Sequence, residues 1–497
     1  MVIAALAALT QPALGSPLTV SNSDELATAI ANARPGDEII LLDGTYSSRG
    51  ATCATQGTSL APIWVHAATP LGAKIQFDAL EGFLVTGSYW QFEGLDVQGV
   101  CAADSNCEHA FHVVGDAHHF QMRKNRILDF NAQLKVNAAQ IAPGIWKIPH
   151  EGLVEYNEVA DTHPRNTTNP VTKLNIDTGD NWVVRGNYIH DHHKTNSDAT
   201  YGAFMKSGGN NGLFERNLVI CSRDLTGGVQ VGLSFGGGGT DPRFCAPYFD
   251  PTIPCDVEHY NGMMRNNIII NCSDVGIYLN QALNSLIYHN TLIATTGIDF
   301  RFINSTGEAQ GNVLASVIRA RDGASFSSTY NLVNASQSDF DYWYIAPLVG
   351  DLRQNNDLSA LLGQAPPLDA VPDDYCARPR GANQYDLGAL QQSLGDCDTT
   401  RPPAGGDTSL TDGGTTADGG GNPMDAGSTA DAGADGGPSG PPADAGNQPL
   451  SDGGSRLGAS DSAHGCGCGG AGGSGVLSAV ALLAAAAALG RRRPRRP

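Results

Sequence analysis

A set of polar side chains recurs at a regular place in the middle of the chain. Counting back about ten to thirteen residues from successive asparagines reaches His112, Lys147, Asp177 and Lys206, with Ser234 and Asn280 further along. If these point outward from stacked strands, they stand one above another at about 5 Å steps. A stripe of basic, acidic and polar groups at that spacing suits a polysaccharide. Splitting a uronate-containing chain by β-elimination needs the sugar carboxylate neutralised, a base for its α-proton and an acid for the leaving oxygen. Lys206 is the candidate base if flanking positive charge depresses its pKa. Lys147 or Arg185 could offset the substrate carboxylate, and Asp177 or Asp191 could hold a calcium ion to the same end. A solvated outward lysine is the competing reading of Lys206.

Other clusters point to weaker chemistry. His190-Asp191-His192-His193 is the densest run of titratable residues. In an extended segment His190 and His192 share a face and could meet one ion, but a polar turn after a strand is the favoured reading. Glycoside hydrolysis needs two carboxylates about 5–9.5 Å apart, which Asp177, Asp191, Asp198 and Asp224 could supply. The run Gly236-Gly237-Gly238-Gly239 lacks the Lys-Ser/Thr pair of a phosphate loop. Neither a dinucleotide fingerprint nor a nucleophile elbow occurs.

The elements that must position these groups come from a repeat. Short β-branched strands flank Asn125, Asn157, Asn187, Asn217, Asn267, Asn290, Asn312 and Asn331, at steps of 32, 30, 30, 50, 23, 22 and 19 residues. That period, without helical periodicity or regular leucine spacing, indicates a β-solenoid, here an all-β parallel β-helix. Stacked asparagine amides at a turn make this column structural. The 50-residue step holds an inserted loop from Gly236 to Glu258, and insertions in a solenoid lie on one face. Ser21 or Ser23 can cap a short N-terminal helix that buries Leu26, Ala29, Ile30 and Ala33. Pro35-Gly36-Asp37 then leads into a first strand from Glu38, and a C-terminal cap ends near Asp386-Leu387-Gly388-Ala389-Leu390.

Nine cysteines precede residue 398. Cys101 with Cys107, Cys245 with Cys255 and Cys376 with Cys397 would close local loops. Cys221 and Cys272 follow the asparagines of successive coils and stand at disulfide distance, which leaves Cys53 over.

Ala33-Arg34-Pro35-Gly36-Asp37, Asp43-Gly44-Thr45-Tyr46, Gly57-Thr58 and Pro62-Ile63 resemble the opening coil of polysaccharide lyase family 6. That family includes chondroitinase B and alginate lyases. Lys206-Ser207-Gly208 to Asn217 is similar to its catalytic-lysine coil. Arg378-Pro379 and Asp386-Leu387-Gly388-Ala389 look like the closing phrase of pectate-lyase-like β-helices. The resemblance spans roughly Leu18 to Leu390. It implies a right-handed parallel β-helix and transfers one candidate catalytic residue, Lys206. The family's acidic metal ligands fall where this chain reads Tyr201-Gly202-Ala203-Phe204-Met205. Its catalytic arginine falls in Val231-Gly232-Leu233-Ser234-Phe235-Gly236. Neither is present.

The ends read as targeting segments. Residues 1–15 carry an apolar run and a small-residue cleavage site, the pattern of a signal peptide, and the missing basic n-region implies that the true start lies upstream. Residues 18–397 form the β-helix domain. Residues 398–465, with 17 Gly and 7 Pro, form a disordered linker. Residues 466–497 hold Cys466 and Cys468, an apolar helix and five arginines. This tail resembles the myxobacterial C-terminal sorting tag, which implies export and sorting machinery as partners and a secreted protein attached to the outer membrane at the cell surface. The membrane contact is then confined to the C-terminal anchor.

The 497-residue chain has a net charge of −20. The linker carries ten Asp against two Arg and the tail five Arg, which leaves −17 on residues 1–397. That acidity excludes a nucleic-acid partner. It also makes the few local cations, or a bound metal, decisive for an anionic sugar. The expected function is therefore a surface-anchored β-helix acting on or binding polysaccharide, as a lyase of acidic polysaccharide. The alternatives are a non-catalytic glycan-binding or adhesive protein on the same scaffold and, more weakly, a glycoside hydrolase.

Overall fold

The computed structural model describes residues 15, 17–237 and 239–400. The signal segment before Gly15, the linker beyond residue 400 and the sorting tail lie outside them.

The described chain winds as a parallel β-helix, right-handed as parallel crossovers are. Each coil contributes one strand to each of three parallel sheets of twelve, ten and ten strands. The first sheet runs from Leu18–Val20 to Ser325–Thr329, the second from Gly44–Ser48 to Val313–Leu314, and the third from Ala51–Cys53 to Val317–Arg321. In-register stacking places like residues above like. Ile39, Val65, Phe92, Met122, Val154, Val184, Phe214, Met264 and Ile287 form one continuous column inside the first sheet. All nine are wholly buried, so hydrophobic burial runs the length of the solenoid.

The turn from the first sheet to the second carries the expected asparagine column. From Asn125 to Asn331 each side-chain Nδ2 donates to Oδ1 of the next asparagine at 2.8–3.1 Å. Each Oδ1 from Asn157 onward also accepts the backbone N–H of the preceding coil's asparagine, as Asn157 does from Asn125 at 3.0 Å. The residue before every one of them has positive φ, and only Gly186 and Gly311 are glycines. Non-glycine residues there cost about 1–2 kcal/mol each, which the ladder of buried hydrogen bonds offsets.

Helix Ser23–Ala31 covers the N-terminal end and buries Leu26, Ala29 and Ile30, with Ala33 buried beyond it, as the pattern predicts. Its cap is Asn22, whose side chain accepts from Glu25 N–H at 3.0 Å, and neither Ser21 nor Ser23 takes that role. The C-terminal segment differs more. Residues 335–390 do not merely close the last coil. They lie along the outside of the second sheet and bury Leu218, Ile220, Ile268, Ile270 and Val313. Arg380 donates to Asn266 Oδ1 at 2.9 Å and Ala389 N–H to Thr291 Oγ1 at 2.9 Å. This second apolar layer explains why Ile268–Ile270 shows no alternation: both faces are dry. Packing also reaches Thr399, which is buried and accepts from Leu352 N–H at 3.0 Å, two residues past the expected domain end.

The disulfides are Cys101–Cys107, Cys221–Cys272, Cys245–Cys255 and Cys376–Cys397, and Cys53 is a buried free thiol. This is the pairing that loop closure and coil stacking give.

A candidate active site at the edge of the third sheet

The third sheet is widest in its middle coils, with strands Ala132–Asn137, Thr172–Asp177, Ala199–Lys206 and Val229–Phe235. Register pairs Lys135 with Asn175 and Asp177 with Lys206. Alternation turns these side chains outward while Val136, Ile176 and Met205 fill the core. Lys135 Nζ donates to Asp177 Oδ2, and to Asn175 Oδ1 at 3.1 Å. Lys206 Nζ lies 3.5 Å from Asp177 Oδ1 and sits over the Phe204 ring, 5.0 Å from its centroid.

Two insertions wall this cluster into a cleft of about 290 Å³. One is the hairpin Ala139–Ala142 with Ile145–Lys147. The other is the loop 236–258, clamped by Cys245–Cys255. Trp146 of the hairpin stacks on Phe249 of the loop at 4.4 Å, and both line the cleft with Phe244 and Asp241. Glu258 fixes the loop's glycines by accepting N–H bonds from Gly237 at 2.7 Å and Thr240 at 3.0 Å. Ser207, next to Lys206, accepts on its carbonyl from Ala246 N–H at 2.9 Å, so the loop is tied to the turn that carries Lys206.

Electrostatics set the cleft apart from the acidic body. Burial works to raise the Asp177 carboxyl, but the ammonium groups of Lys135 and Lys206 outweigh it and hold its pKa below the usual range. Burial, with repulsion from Lys206, pushes the Lys135 pKa down despite Asp177. At the cleft floor the two lysines share the Asp177 carboxylate. Asp241 is paired with Arg243 at 2.5 Å. The cleft therefore sets two lysine side chains beneath aromatic walls. It does not offer two unpaired carboxylates, as a hydrolase would need.

The candidate residues separate accordingly. Asp177 and Lys206 come together as neighbours. His112 stands in the column of Lys135, and its Nε2 meets Asn137 Oδ1 at 2.7 Å at the cleft margin. Lys147 ends the hairpin and lies 3.3 Å from Asp116, outside the cleft lining. Arg185 belongs to the first sheet, in a charge ladder with Glu155 at 2.8 Å and Glu215 at 3.6 Å, so it does not face Lys206. Ser234 is fully buried, its hydroxyl donating to the carbonyls of Gly236 and Tyr278, and cannot touch substrate. The six positions are not one column: His112 and Ser234 fall two residues out of step with Asp177 and Lys206.

Asp191 lies where the chain enters the third sheet, at the opposite end from Asp177. Its Oδ1 accepts from the N–H groups of Arg223, Asp224 and Leu225 at 2.7–2.9 Å, and Oδ2 faces His190 Nδ1 at 2.7 Å. One ion cannot hold both aspartates. Calcium takes six to eight oxygens, and the Asp177 oxygens face ammonium groups instead. The donor set does not fit that ion. His192 is buried, bonded to Thr200 Oγ1 at 3.1 Å and driven to a pKa of about 3, chiefly by burial, so the histidine run is a structural turn. Against the cost of burial, Asp191 and Glu158 raise the His190 pKa above 6.5, and His190 and the loop amides lower the Asp191 pKa below 3.8. The charged His190 stabilises below its unfolded pKa and that gain is lost as pH rises through the folded value. The Asp191 contribution is lost as pH falls. Thermal midpoints should therefore be highest between about pH 4 and 6.5 for this pair, and Asp191→Asn should flatten that maximum. An unchanged profile would show the pair to be inert.

Sequence counting missed Lys135, Asn175, Trp146 and Phe249. The hairpin insertion displaces Asn157 from its own third-sheet strand, so a count of ten lands on Lys147 where the aligned lysine is Lys135.

The model of the chondroitinase B family matches residues 20–213, a span that carries Lys135, Asp177 and Lys206 and ends before the disulfide loop. The chain is a polysaccharide-lyase-like β-helix. Solved structures similar to this β-helix include pectate lyase Pel9A, at 14% identity over 76% of this chain and 96% of that one with a TM-score of 0.47. A rhamnogalacturonan lyase aligns at 14% identity over 76% and 98% with a TM-score of 0.46. An alginate lyase from Paenibacillus sp. aligns at 14% identity over 63% and 97% with a TM-score of 0.36. No curated protein sequence matches the chain. Beside Lys206, this lyase-like β-helix places Gly236 in the next coil. A Cβ there would stand 1.8 Å from the Asn280 carbonyl, so the backbone leaves no room for an arginine.

Proposed function

We propose that the cleft binds a uronate of an acidic polysaccharide and cleaves the chain by β-elimination. The observation that carries this reading is the pairing of two lysines on Asp177 beneath an aromatic wall. Lys135 offsets the substrate carboxylate, the task given to a metal in the calcium expectation. Lys206 takes the α-proton and can return it to the leaving glycosidic oxygen, so one group serves as base and then acid. The Lys135 ammonium, which stays charged to face the sugar carboxylate, repels a proton on Lys206 and so favours the neutral amine that a base requires. Trp146, Phe249 and Phe244 give the sugar a stacking surface.

A panel of chondroitin, dermatan, alginate and pectate, with and without chelator, tests this through the ultraviolet absorbance of the unsaturated product. Product formed on at least one, insensitive to chelation of calcium, supports it. Glycan binding without product selects the adhesive reading, which the absence of an arginine beside Gly236 favours.

The protein is further proposed to be exported and held at the cell surface through its C-terminal tail. Among the described residues no helix is long and apolar enough to cross a membrane. Replacing Cys466 and Cys468 should release the protein from cells, and unchanged surface retention would refute their sorting role.

A further inference from the structure

A second cluster stands on the outer face of the third sheet, in earlier coils. Glu81 and His109 are register partners on adjacent strands, and both Glu81 oxygens lie 3.1 Å from His109 Nδ1. Glu81 Oε2 is also 3.1 Å from His112 Nδ1. One donor atom from each of the three residues lies within 4.8 Å of the others.

Hydrogen-bond accounting at His112 shows what this arrangement lacks. Asn137 Nδ2 donates to the Ala138 carbonyl at 2.9 Å, which aims its Oδ1 at His112 Nε2, 2.7 Å away. An acceptor in that position requires the ring proton on Nε2. Nδ1 of the neutral ring then presents a lone pair to a carboxylate oxygen. A proton on that nitrogen, or a metal cation in its place, can bridge the ring to Glu81.

We propose that Glu81, His109 and His112 form a binding site for a divalent transition-metal ion of the zinc class. Two imidazoles and a carboxylate are an established zinc donor set, and a tetrahedral ion with bonds of about 2.0–2.1 Å places its donors about 3.3 Å apart. The 3.1 Å separations fit that edge. The Asn137 carbonyl on Nε2 of His112 is the outer partner that orients a ligating histidine. Nε2 of His109 faces Glu108 Oε1 at 3.9 Å, within reach of the same service. The Glu81 side chain is 30% exposed and the histidines 15% and 18%, so a fourth position opens to solvent. Imidazole donors select against calcium and magnesium. Asn137 also lines the lysine cleft, so the ion would sit at its margin.

The test is titration of the metal-stripped full chain with Zn²⁺ and Co²⁺, read by bound stoichiometry and by the visible ligand-field absorption of Co²⁺. Wild type should bind one equivalent more than His109→Ala/His112→Ala, and calcium should not displace it. Glu81→Gln, which keeps the side-chain shape and covers the case of a misfolded double variant, should lose the same equivalent. Asn137→Ala should weaken binding about 10–100-fold while leaving stoichiometry intact. Equal stoichiometry in wild type and Glu81→Gln, or displacement by calcium, would overturn the site. These readouts do not depend on polysaccharide cleavage.

Discussion

Lys206→Ala should lower the rate of unsaturated-product formation by about 10²–10⁴-fold, the range for losing a positioned general base. The side chain is outward on the last residue of its strand and 19% exposed, so its loss should leave folding intact. Lys135→Met should cost about 10²-fold through a different route, because it removes the charge that offsets the sugar carboxylate as the α-carbon becomes anionic. Asp177 touches both lysines and acts through them as a positioning residue. Its attraction raises the Lys135 pKa against burial. With Asp177→Asn that attraction is gone while burial still acts, so the Lys135 pKa falls further. The basic limb of the pH–rate profile should then move to lower pH, a displacement that a purely structural aspartate would not produce. Full activity in Lys206→Ala would refute its role as base, whatever the other two variants do.

How much of this was legible in the sequence depends on what each residue answers to. The asparagine turns read clearly because one residue type recurs for one local reason, a buried amide ladder. The disulfides join the pairs that close short loops or link successive coils, although nine cysteines by themselves leave the connectivity open. The count places Asp177 and Lys206 in one outward column, as the register does, because their coils carry no insertion ahead of the next asparagine. Lys135 was missed because the hairpin before Asn157 adds residues between strand and turn, and a fixed count cannot see where the extra length lies. Ser234 was misread because the outward face of one strand is roofed by its own following turn. Arg185 was misplaced because outwardness says nothing of which of three sheets a residue faces from. The C-terminal layer over the second sheet was hidden for a related reason. Its trace in the chain is the pair of unbroken apolar strands Leu218–Ile220 and Ile268–Ile270, buried on both faces.

The interior holds the change with the largest expected effect on stability. Lys173 and Asp161 are both wholly buried where the second sheet turns into the third, with Nζ 2.6 Å from Oδ2. Lys173 also donates to the Phe130 carbonyl at 2.9 Å. Burial drives both toward neutrality, lowering the lysine pKa and raising the aspartate pKa, and their mutual attraction resists it. Lys173→Met removes the hydrogen-bonded partner and leaves the buried Asp161 carboxylate with the weaker attraction of Arg165, a loss of about 3–5 kcal/mol. The neighbouring His192, which Lys173 helps to keep neutral, gives no compensation, because burial is the larger cause of its low pKa. In a stacked repeat each coil is stabilised by its neighbours, so a defect here weakens the coils on both sides and with them the strands that carry Lys135, Asp177 and Lys206. The double variant Lys173→Met/Asp161→Leu removes both charges and should recover most of the loss, since a buried pair gives little over apolar packing of similar volume. Chemical denaturation of the two variants, followed by tryptophan fluorescence, separates the cases. A single variant within about 1 kcal/mol of wild type would mean that water reaches this turn and that the pair is not dry.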